Sequence, residues 1–288
     1  MKKLLITGGN GFLGSRIIKA LNDKYEIFSA TSDKLDITDE KRVLNIVKEV
    51  RPDFIIHGAA VAETKFCEEN PEFAYNLNVN GAVNMAKAAD AVKSKMIFFS
   101  TEQIFNGNSG EGPFKEEDLA MANTQYGKTK LEAEKKILDT VEGLWILRLT
   151  WMFGMPERGL KINPNILWDT VKSAYKQQKA IVPVNEYRGM TYVYDLVDQI
   201  EKVFGMDRGI YHTGSENNMS RYHTVKFILK ELGLTEDGID KMLIPDKEKY
   251  ADKNRDVRLD TLKIKKSGLA FDNTQEALAK AIREYSMC

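Results

Sequence analysis

Cysteine is scarce in this 288-residue chain, with only Cys67 and Cys288 present. Two cysteines are too few for a disulfide framework, which excludes the small cross-linked secreted scaffolds. Excess charge is absent as well. Lysine plus arginine and aspartate plus glutamate both number 42, so the formal charge is zero. Without a basic tract or an acidic tail, neither nucleic acid nor an anionic membrane is the expected partner. Long apolar runs are also missing. The run before the first glycines is too short for a signal peptide and no segment approaches a bilayer span, so a cytoplasmic protein is expected. No internal repeat or low-complexity linker interrupts the chain. What remains is a soluble globular composition, 43% hydrophobic, long enough for one large domain or two coupled ones.

The stretch that organises the rest is Leu4-Leu5-Ile6-Thr7-Gly8-Gly9-Asn10-Gly11-Phe12-Leu13-Gly14. A short apolar run predicts a buried strand of a parallel sheet. After the glycines, Leu13, Ile17, Ile18 and Leu21 fall on one helical stripe. Strand, glycine turn and helix form the context a dinucleotide fingerprint needs, and Gly9-x-Gly11-x-x-Gly14 fits that fingerprint. Its glycines turn the chain, admit a pyrophosphate and let helix pack on strand, while the helix N-terminus offers free N–H groups to the phosphates. The blander alternative is a glycine-rich turn of any α/β protein.

A second strand is predicted over Tyr25–Ala30, ending in Thr31 and Ser32. An acid near this strand end would hold a ribose 2′-hydroxyl. Thr31 stands there instead, with Asp33 and Lys34 following, which tilts the expectation slightly from NAD towards NADP; the alternative is that these are simply polar turn residues. Leu35-Asp36-Ile37-Thr38 leads into a helix for which Thr38 is the expected N-cap. A strand at Phe54–His57 ends in Gly58-Ala59-Ala60, small enough for a cofactor to lie against; His57 reads as structural. One long helix is expected over Glu72–Val92, with Asn78-Val79-Asn80-Gly81 in its middle as a sign of function or tight packing. Strands at Met96–Ser100 and Leu144–Thr150 follow. Strands alternate with helices to about residue 154, the pattern of a Rossmann-type, doubly wound parallel sheet. The domain expectation is a dinucleotide-binding domain over 1–154, with 184–204 returning to it. A smaller interleaved C-terminal substrate lobe would take 155–183 and 205–288. Within that lobe Asn163 and Pro164 are expected to start a helix, and Ser220 to cap another.

Tyr126 and Lys130 lie four residues apart, on one helix face. A free phenol titrates near 10, too high to shuttle protons readily at neutral pH; a neighbouring ammonium and a cofactor's positive ring both stabilise the phenolate. Thr101 sits at the end of a strand, where open α/β sheets place ligands, and its hydroxyl could hold a carbonyl while Tyr126 supplies the proton. Tyr-x-x-x-Lys also arises by chance on amphipathic helices.

Thr7–Gly14, Ser100-Thr101 and Tyr126-Gly127-Lys128-Thr129-Lys130 together resemble the extended short-chain dehydrogenase/reductase superfamily. Within it, the chain is similar to the dTDP-4-dehydrorhamnose reductase family. The residues that carry this are Leu35-Asp36-Ile37-Thr38-Asp39, Phe99-Ser100-Thr101 through Ile104-Phe105-Asn106-Gly107, Gly189-x-Thr191-Tyr192 with Asp195-Leu196, and Gly209-Ile210-Tyr211-His212. The resemblance implies a catalytic triad of Thr101, Tyr126 and Lys130. It implies a cofactor, NADP or NAD, held by Gly8, Asn10, Gly11, Phe12, Leu13 and Gly14 at the phosphates. Thr31, Ser32, Asp36 and Ile37 would lie around the adenosine, and Gly58, Ala59, Ala60, Asn78 and Ser100 along the rest, with Tyr126 and Lys130 contacting it as well. Substrate, a nucleotide sugar, would meet Glu102, Gln103, Trp151, Arg188 and Arg255. No metal is expected, and a homodimer is compatible with the resemblance.

Three departures fall where substrate should sit. The family's Asp-Tyr after the threonine is Glu102-Gln103, its Thr-x-Val-Asp is Ala62-Glu63-Thr64-Lys65, and a common proline is Met190. A 4,6-dehydratase needs a base where Gln103 stands, and an amide has no useful basicity. An epimerase can use the same triad. The regulatory subunit of methionine adenosyltransferase resembles this family too and acts by binding a partner, so a non-catalytic NAD(P)-binding role is the alternative from another class.

Overall fold

Short apolar runs separated by amphipathic stretches build the first half strand by strand. β1 (Lys2–Thr7), α1 (Phe12–Leu21), β2 (Tyr25–Ala30), α2 (Glu40–Val50) and β3 (Phe54–His57) follow one another through short links. Next come α3 (Thr64–Glu69), α4 (Pro71–Tyr75) and α5 (Gly81–Val92), with a π-helical turn at Asn76–Asn80 joining the last two. β4 (Lys95–Thr101), a 3-10 turn at Glu102–Phe105, α6 (Gln125–Ile137) and β5 (Leu144–Leu149) complete this half. The second half runs β6 (Trp151–Phe153), α7 (Ile166–Tyr175), β7 (Ala180–Pro183), β8 (Glu186–Tyr187), β9 (Met190–Tyr192), α8 (Val193–Val197) and β10 (Gly209–Thr213). It ends with α9 (Arg221–Glu231), α10 (Glu236–Met242), β11 (Leu243–Asp246), β12 (Arg255–Asp256), α11 (Leu262–Lys266) and α12 (Thr274–Glu284). This computed structural model describes residues 1–285. Cys288 therefore lies outside the described residues, and Cys67 is a buried free thiol.

Six strands form the central sheet in the order β10-β5-β4-β3-β1-β2, and the pairs from β2 to β5 are parallel. The sequence direction reverses between β1 and β3, so their carboxyl ends flank the crevice where open α/β sheets take ligands. Leu4, Leu5, Ile6, Ile55, Ile56, Ile97 and Phe98 are fully buried, as strands covered on both faces require. Among the described residues, no helix is long and apolar enough to cross a membrane.

The chain divides into two compact units. The first comprises Met1–Asn108, Glu117–Leu149 and Val197–Tyr211; the second takes Ser109–Glu116, Thr150–Leu196 and the described residues from His212 onward. The returning stretch is thus 197–211, where the sequence suggests 184–204. Aromatic packing accounts for the difference: Phe204 stacks on Phe54 at 4.0 Å, and Glu201 accepts hydrogen bonds from Lys24 (2.6 Å) and the Tyr25 hydroxyl (3.1 Å).

Several local expectations shift by a residue or more. Asp39, not Thr38, caps α2 by accepting from the Arg42 N–H at 3.0 Å, because Thr38 is turned onto Asp36. Asn165, not Asn163, caps α7 through the Trp168 N–H at 3.1 Å. The helix expected over 72–92 contains the π-helical turn, and its polar residues have partners. Gly81 is there for close packing, since a Cβ would lie 2.6 Å from Ile37 Cδ1. Asn84 donates to the Ile37 carbonyl at 3.0 Å, pinning the same loop.

Candidate functional site

In the first unit the site begins at the end of β1. Gly8 has φ +71°, a left-handed conformation that favours glycine, and a Cβ there would lie 2.7 Å from the Gly58 backbone across the switch point. Gly14 packs its α-carbon against the Gly8 carbonyl, leaving no room for a side chain. Gly11 is different: a Cβ would meet only Gly8 O, at 3.0 Å. It is the N-cap of α1, with no side-chain cap and no acid in the first turn. Free N–H groups, a positive dipole end and an open position at Gly11 suit a pyrophosphate. Asn10 is exposed and Leu13 half-buried, whereas Phe12 is a core ring lying 4.3 Å beneath the Arg16 guanidinium. Arg16 itself is fully buried and donates to the Phe12 carbonyl at 2.8 Å. Nothing local in the sequence flags this buried cation.

At the end of β2 Thr31 is buried and Ser32 exposed. A hydrogen bond from the Thr31 side chain, foremost, holds the exposed Asp33 carboxyl below its usual range. Arg42 donates to the Lys34 carbonyl at 2.8 Å, so a carboxylate and two cations share this corner. Asp36 is exposed and likewise held low, mainly by the Thr38 hydroxyl; Ile37 is buried against Gly81. Gly58, Ala59 and Ala60 form a small-residue ledge, exposed except for the half-buried Ala59.

Asn78 lies in the π-helical turn and is buried. It accepts from the Val61 N–H (2.9 Å) and donates to the Val61 carbonyl (3.0 Å) and to Thr129 Oγ1 (3.1 Å). Thr129 in turn donates to the Tyr126 carbonyl at 2.9 Å, so Asn78 anchors the first turn of α6. Gly127 sits against the Gln103 carbonyl, where a Cβ would be only 2.5 Å away. This contact fixes the 3-10 turn that follows Thr101 against the helix that begins with Tyr126. Thr101 is buried, and its Oγ1 accepts from the Gln103 N–H at 3.2 Å, leaving the hydroxyl proton to donate elsewhere. Ser100 is buried beside it, with no hydrogen-bond partner for its hydroxyl. Glu102 and Gln103 are buried and bonded to each other at 3.2 Å, and Asn106 links Gln103 to Thr124.

Tyr126 is half-buried, while Lys130 is 3% exposed and lies 3.9 Å from the centroid of the Phe98 ring. Burial pulls the Lys130 ammonium down to about 7, against the opposing field of Glu134. Glu134 is itself committed to Arg148 in a buried bidentate pair, accepting from Nε on Oε1 at 3.1 Å and from Nη2 on Oε2 at 2.8 Å.

The second unit gathers Trp151, Arg188 and Arg255, and adds two residues that the sequence did not single out. Buried Glu186 accepts from Arg255 at 2.7 Å and from Arg221 at 3.1 Å, with Arg188 at 4.0 Å. The Arg188 and Arg221 guanidinium groups lie 4.5 and 5.5 Å from the Trp151 ring centroid. Burial alone would raise the Glu186 carboxyl, but Arg221, Arg188 and Arg255 outweigh it and leave it below its usual range. Three guanidinium groups thus surround one carboxylate, two of them over an indole face. Met190 also finds its reason here. The Thr274 hydroxyl accepts from the Met190 N–H and donates to the Met190 carbonyl, both at 3.0 Å, and a proline would lack the first of those bonds.

Comparisons with known proteins bear on the family and the fold. The family model described as RmlD substrate binding domain matches residues 1–287. A dTDP-4-dehydrorhamnose reductase from Aggregatibacter actinomycetemcomitans is 32% identical, covering 77% of this chain and 76% of its own. Methionine adenosyltransferase 2 subunit beta from Xenopus tropicalis is 30% identical, covering 77% of this chain and 69% of its own. The crystal structure of dTDP-4-dehydrorhamnose reductase from Bacillus anthracis in complex with NADP superimposes with TM-score 0.86 at 25% identity, over 99% of this chain and 100% of that one.

Proposed function

We propose that this chain, which belongs to the RmlD substrate-binding domain family, is an NAD(P)H-dependent reductase of a nucleotide-activated 4-keto-deoxysugar. The observation that carries this is the buried Lys130 ammonium one helical turn beyond Tyr126, on a helix tied through Gly127 to the turn after Thr101. When bound, the nicotinamide supplies hydride to the ketone carbon. Thr101 donates its hydroxyl proton to the ketone oxygen and orients it. Tyr126 gives its phenolic proton to the oxygen as negative charge develops there. Lys130 stabilises the resulting phenolate. Gly8, Gly11 and Gly14 with the α1 N-terminus would hold the pyrophosphate of the cofactor, and the Gly58–Ala60 ledge would lie along it. In the second unit, Arg188, Arg221 and Arg255 suit the diphosphate of a nucleotide sugar, and Trp151 suits an apolar or planar part of it. Steady-state NADPH oxidation with a panel of dTDP- and UDP-4-ketosugars tests the proposal. Turnover with a member of the panel is expected, and a folded, cofactor-binding protein inert to all of them overturns it.

Three results follow for binding. Gly11→Val is expected to leave the circular dichroism spectrum intact and to abolish NADPH binding by calorimetry, because the new side chain enters the phosphate space; unchanged affinity contradicts the pyrophosphate assignment. Lys34 and Arg42 offset Asp33 at the ribose end, so NADPH is expected to bind at least as well as NADH. Asp33→Asn is then expected to move the ratio of dissociation constants further towards NADPH, while a clear wild-type preference for NADH contradicts this. Arg221→Gln removes a partly exposed guanidinium and is expected to raise KM for the ketosugar nucleotide about 10-fold or more with kcat little changed, the scale of one charge-assisted hydrogen bond. An unchanged KM would remove Arg221 from the substrate site.

The similarity to methionine adenosyltransferase 2 subunit beta supports a second reading, a chain that keeps the cofactor site and acts by binding a partner enzyme. Stable capture of a methionine adenosyltransferase by a chain inert to every ketosugar would favour it.

A further inference from the structure

Parallel register places three side chains in one row across adjacent strands. Thr7 of β1 is the partner of His57 in β3, and His57 is the partner of Phe98 in β4. Thr7 Oγ1 accepts from the Ala59 N–H at 3.2 Å and shares a hydrogen bond of 2.7 Å with His57 Nδ1. His57 Nε2 is buried without a hydrogen-bond partner. Its ring lies 5.8 Å from that of Phe98 and nearly parallel to it, at 17°. Over Phe98 sits the Lys130 ammonium, at 3.9 Å from the ring centroid. Thr7, His57 and Phe98 are buried to within 1% of completely.

We infer that Phe98 is the positioning residue of Lys130, its ring face holding the ammonium as a cation one helical turn from Tyr126, with a neutral His57 beside Phe98 in the same row. The inference rests on the Tyr126–Lys130 assignment for its catalytic meaning, but its structural content stands apart from turnover. A desolvated ammonium needs a compensating partner, and an aromatic face is one of the few that adds no opposite charge. An anion in that place would hold Lys130 in an ion pair and weaken its effect on the phenol. His57 matters through what it is not: as an imidazolium it would repel Lys130 across the row. Burial first, and then the field of Lys130, push its titration down to about 3, so it stays neutral through the working range. The carboxylate that acts on Lys130 is Glu134 on its own helix, which is paired with Arg148 on β5. The row starts at the last residue of β1, next to Gly8, so the same backbone that forms the glycine turn also sets the site of the ammonium.

The test follows Lys130 in the cofactor-free protein by NMR of carbon-labelled lysine, with Lys130→Met identifying the signal. The wild-type midpoint is expected near 7. Phe98→Met keeps the volume but removes the π face, and is expected to lower that midpoint by about one pH unit or more, the scale of a desolvated cation–π contact. Phe98→Tyr keeps the face and is expected to restore it. In the loaded enzyme, Phe98→Met is expected to move the alkaline limb of kcat to lower pH, with KM little changed. Phe98→Leu serves equally if the methionine variant does not fold. A midpoint unmoved or raised in a folded variant overturns the inference. If Tyr126→Phe turns over normally while the Phe98 shift is found, the catalytic assignment has failed and the positioning has not.

Discussion

Tyr126→Phe is expected to lower turnover by roughly 10²–10⁴, the usual contribution of a positioned acid, while NADPH affinity stays within a few-fold of wild type. The substitution removes one hydroxyl from a half-buried ring, and the contacts proposed for phosphate and adenosine lie on other elements. The Tyr126 backbone continues to accept from Thr129, so the first turn of α6 keeps its tie to Asn78. Single-turnover oxidation of bound NADPH by a ketosugar nucleotide checks the result. A Tyr126→Phe protein as fast as wild type removes the phenol from the mechanism.

Lys130→Met is expected to trade activity for stability. The folded state holds this ammonium down to about 7 from an ordinary 10.5 because it is buried. Between those values the unfolded chain keeps the proton that the folded chain has lost, so folding becomes more favourable as pH rises. Below about 7 both states are charged and the fold bears the whole cost of burying the cation. Methionine removes that cost. The cofactor-free variant is expected to be more stable than wild type at pH 6 by on the order of a few kcal/mol, with the gain shrinking as pH rises above 7. Thermal melts at several pH values measure this; a variant less stable than wild type at pH 6 contradicts the burial of a charged lysine. Turnover is expected to fall in the same variant, since the phenolate loses its cation. His57 acts with the same sign at lower pH. Its titration is depressed from 6.5 to about 3, so stability is lost as pH falls through that window.

Local pattern made the first unit legible. The Leu4–Thr7 run, the glycines and the Ile17 stripe specify strand, turn and helix within a few residues of one another, and the structure has all three there. The spacing of Tyr126 and Lys130 likewise needs only one helix to place them on one face. What the sequence left unread depends on distant partners. Nothing adjacent to Gly81 says that Ile37 packs onto it, and nothing near Lys130 says that Phe98 lies beneath it. Glu186 resembles any exposed loop acid beside Arg188 until Arg221 and Arg255 arrive from two separate segments. The helix caps show the same limit on a smaller scale. Thr38 and Asn163 are good capping residues by type, yet Asp36 and the chain path assign the caps to Asp39 and Asn165.

Deuterium transfer tests the central claim most directly. NADPH carrying deuterium at the transferable position of its nicotinamide is incubated with the wild-type chain and a dTDP-4-ketosugar, and the sugar product is analysed by NMR. The proposed reductase yields one deuterium at sugar C4 for each cofactor oxidised, and Tyr126→Phe slows that transfer. An epimerised sugar with no net oxidation of the cofactor, or an unlabelled sugar beside intact NADPH, would contradict it.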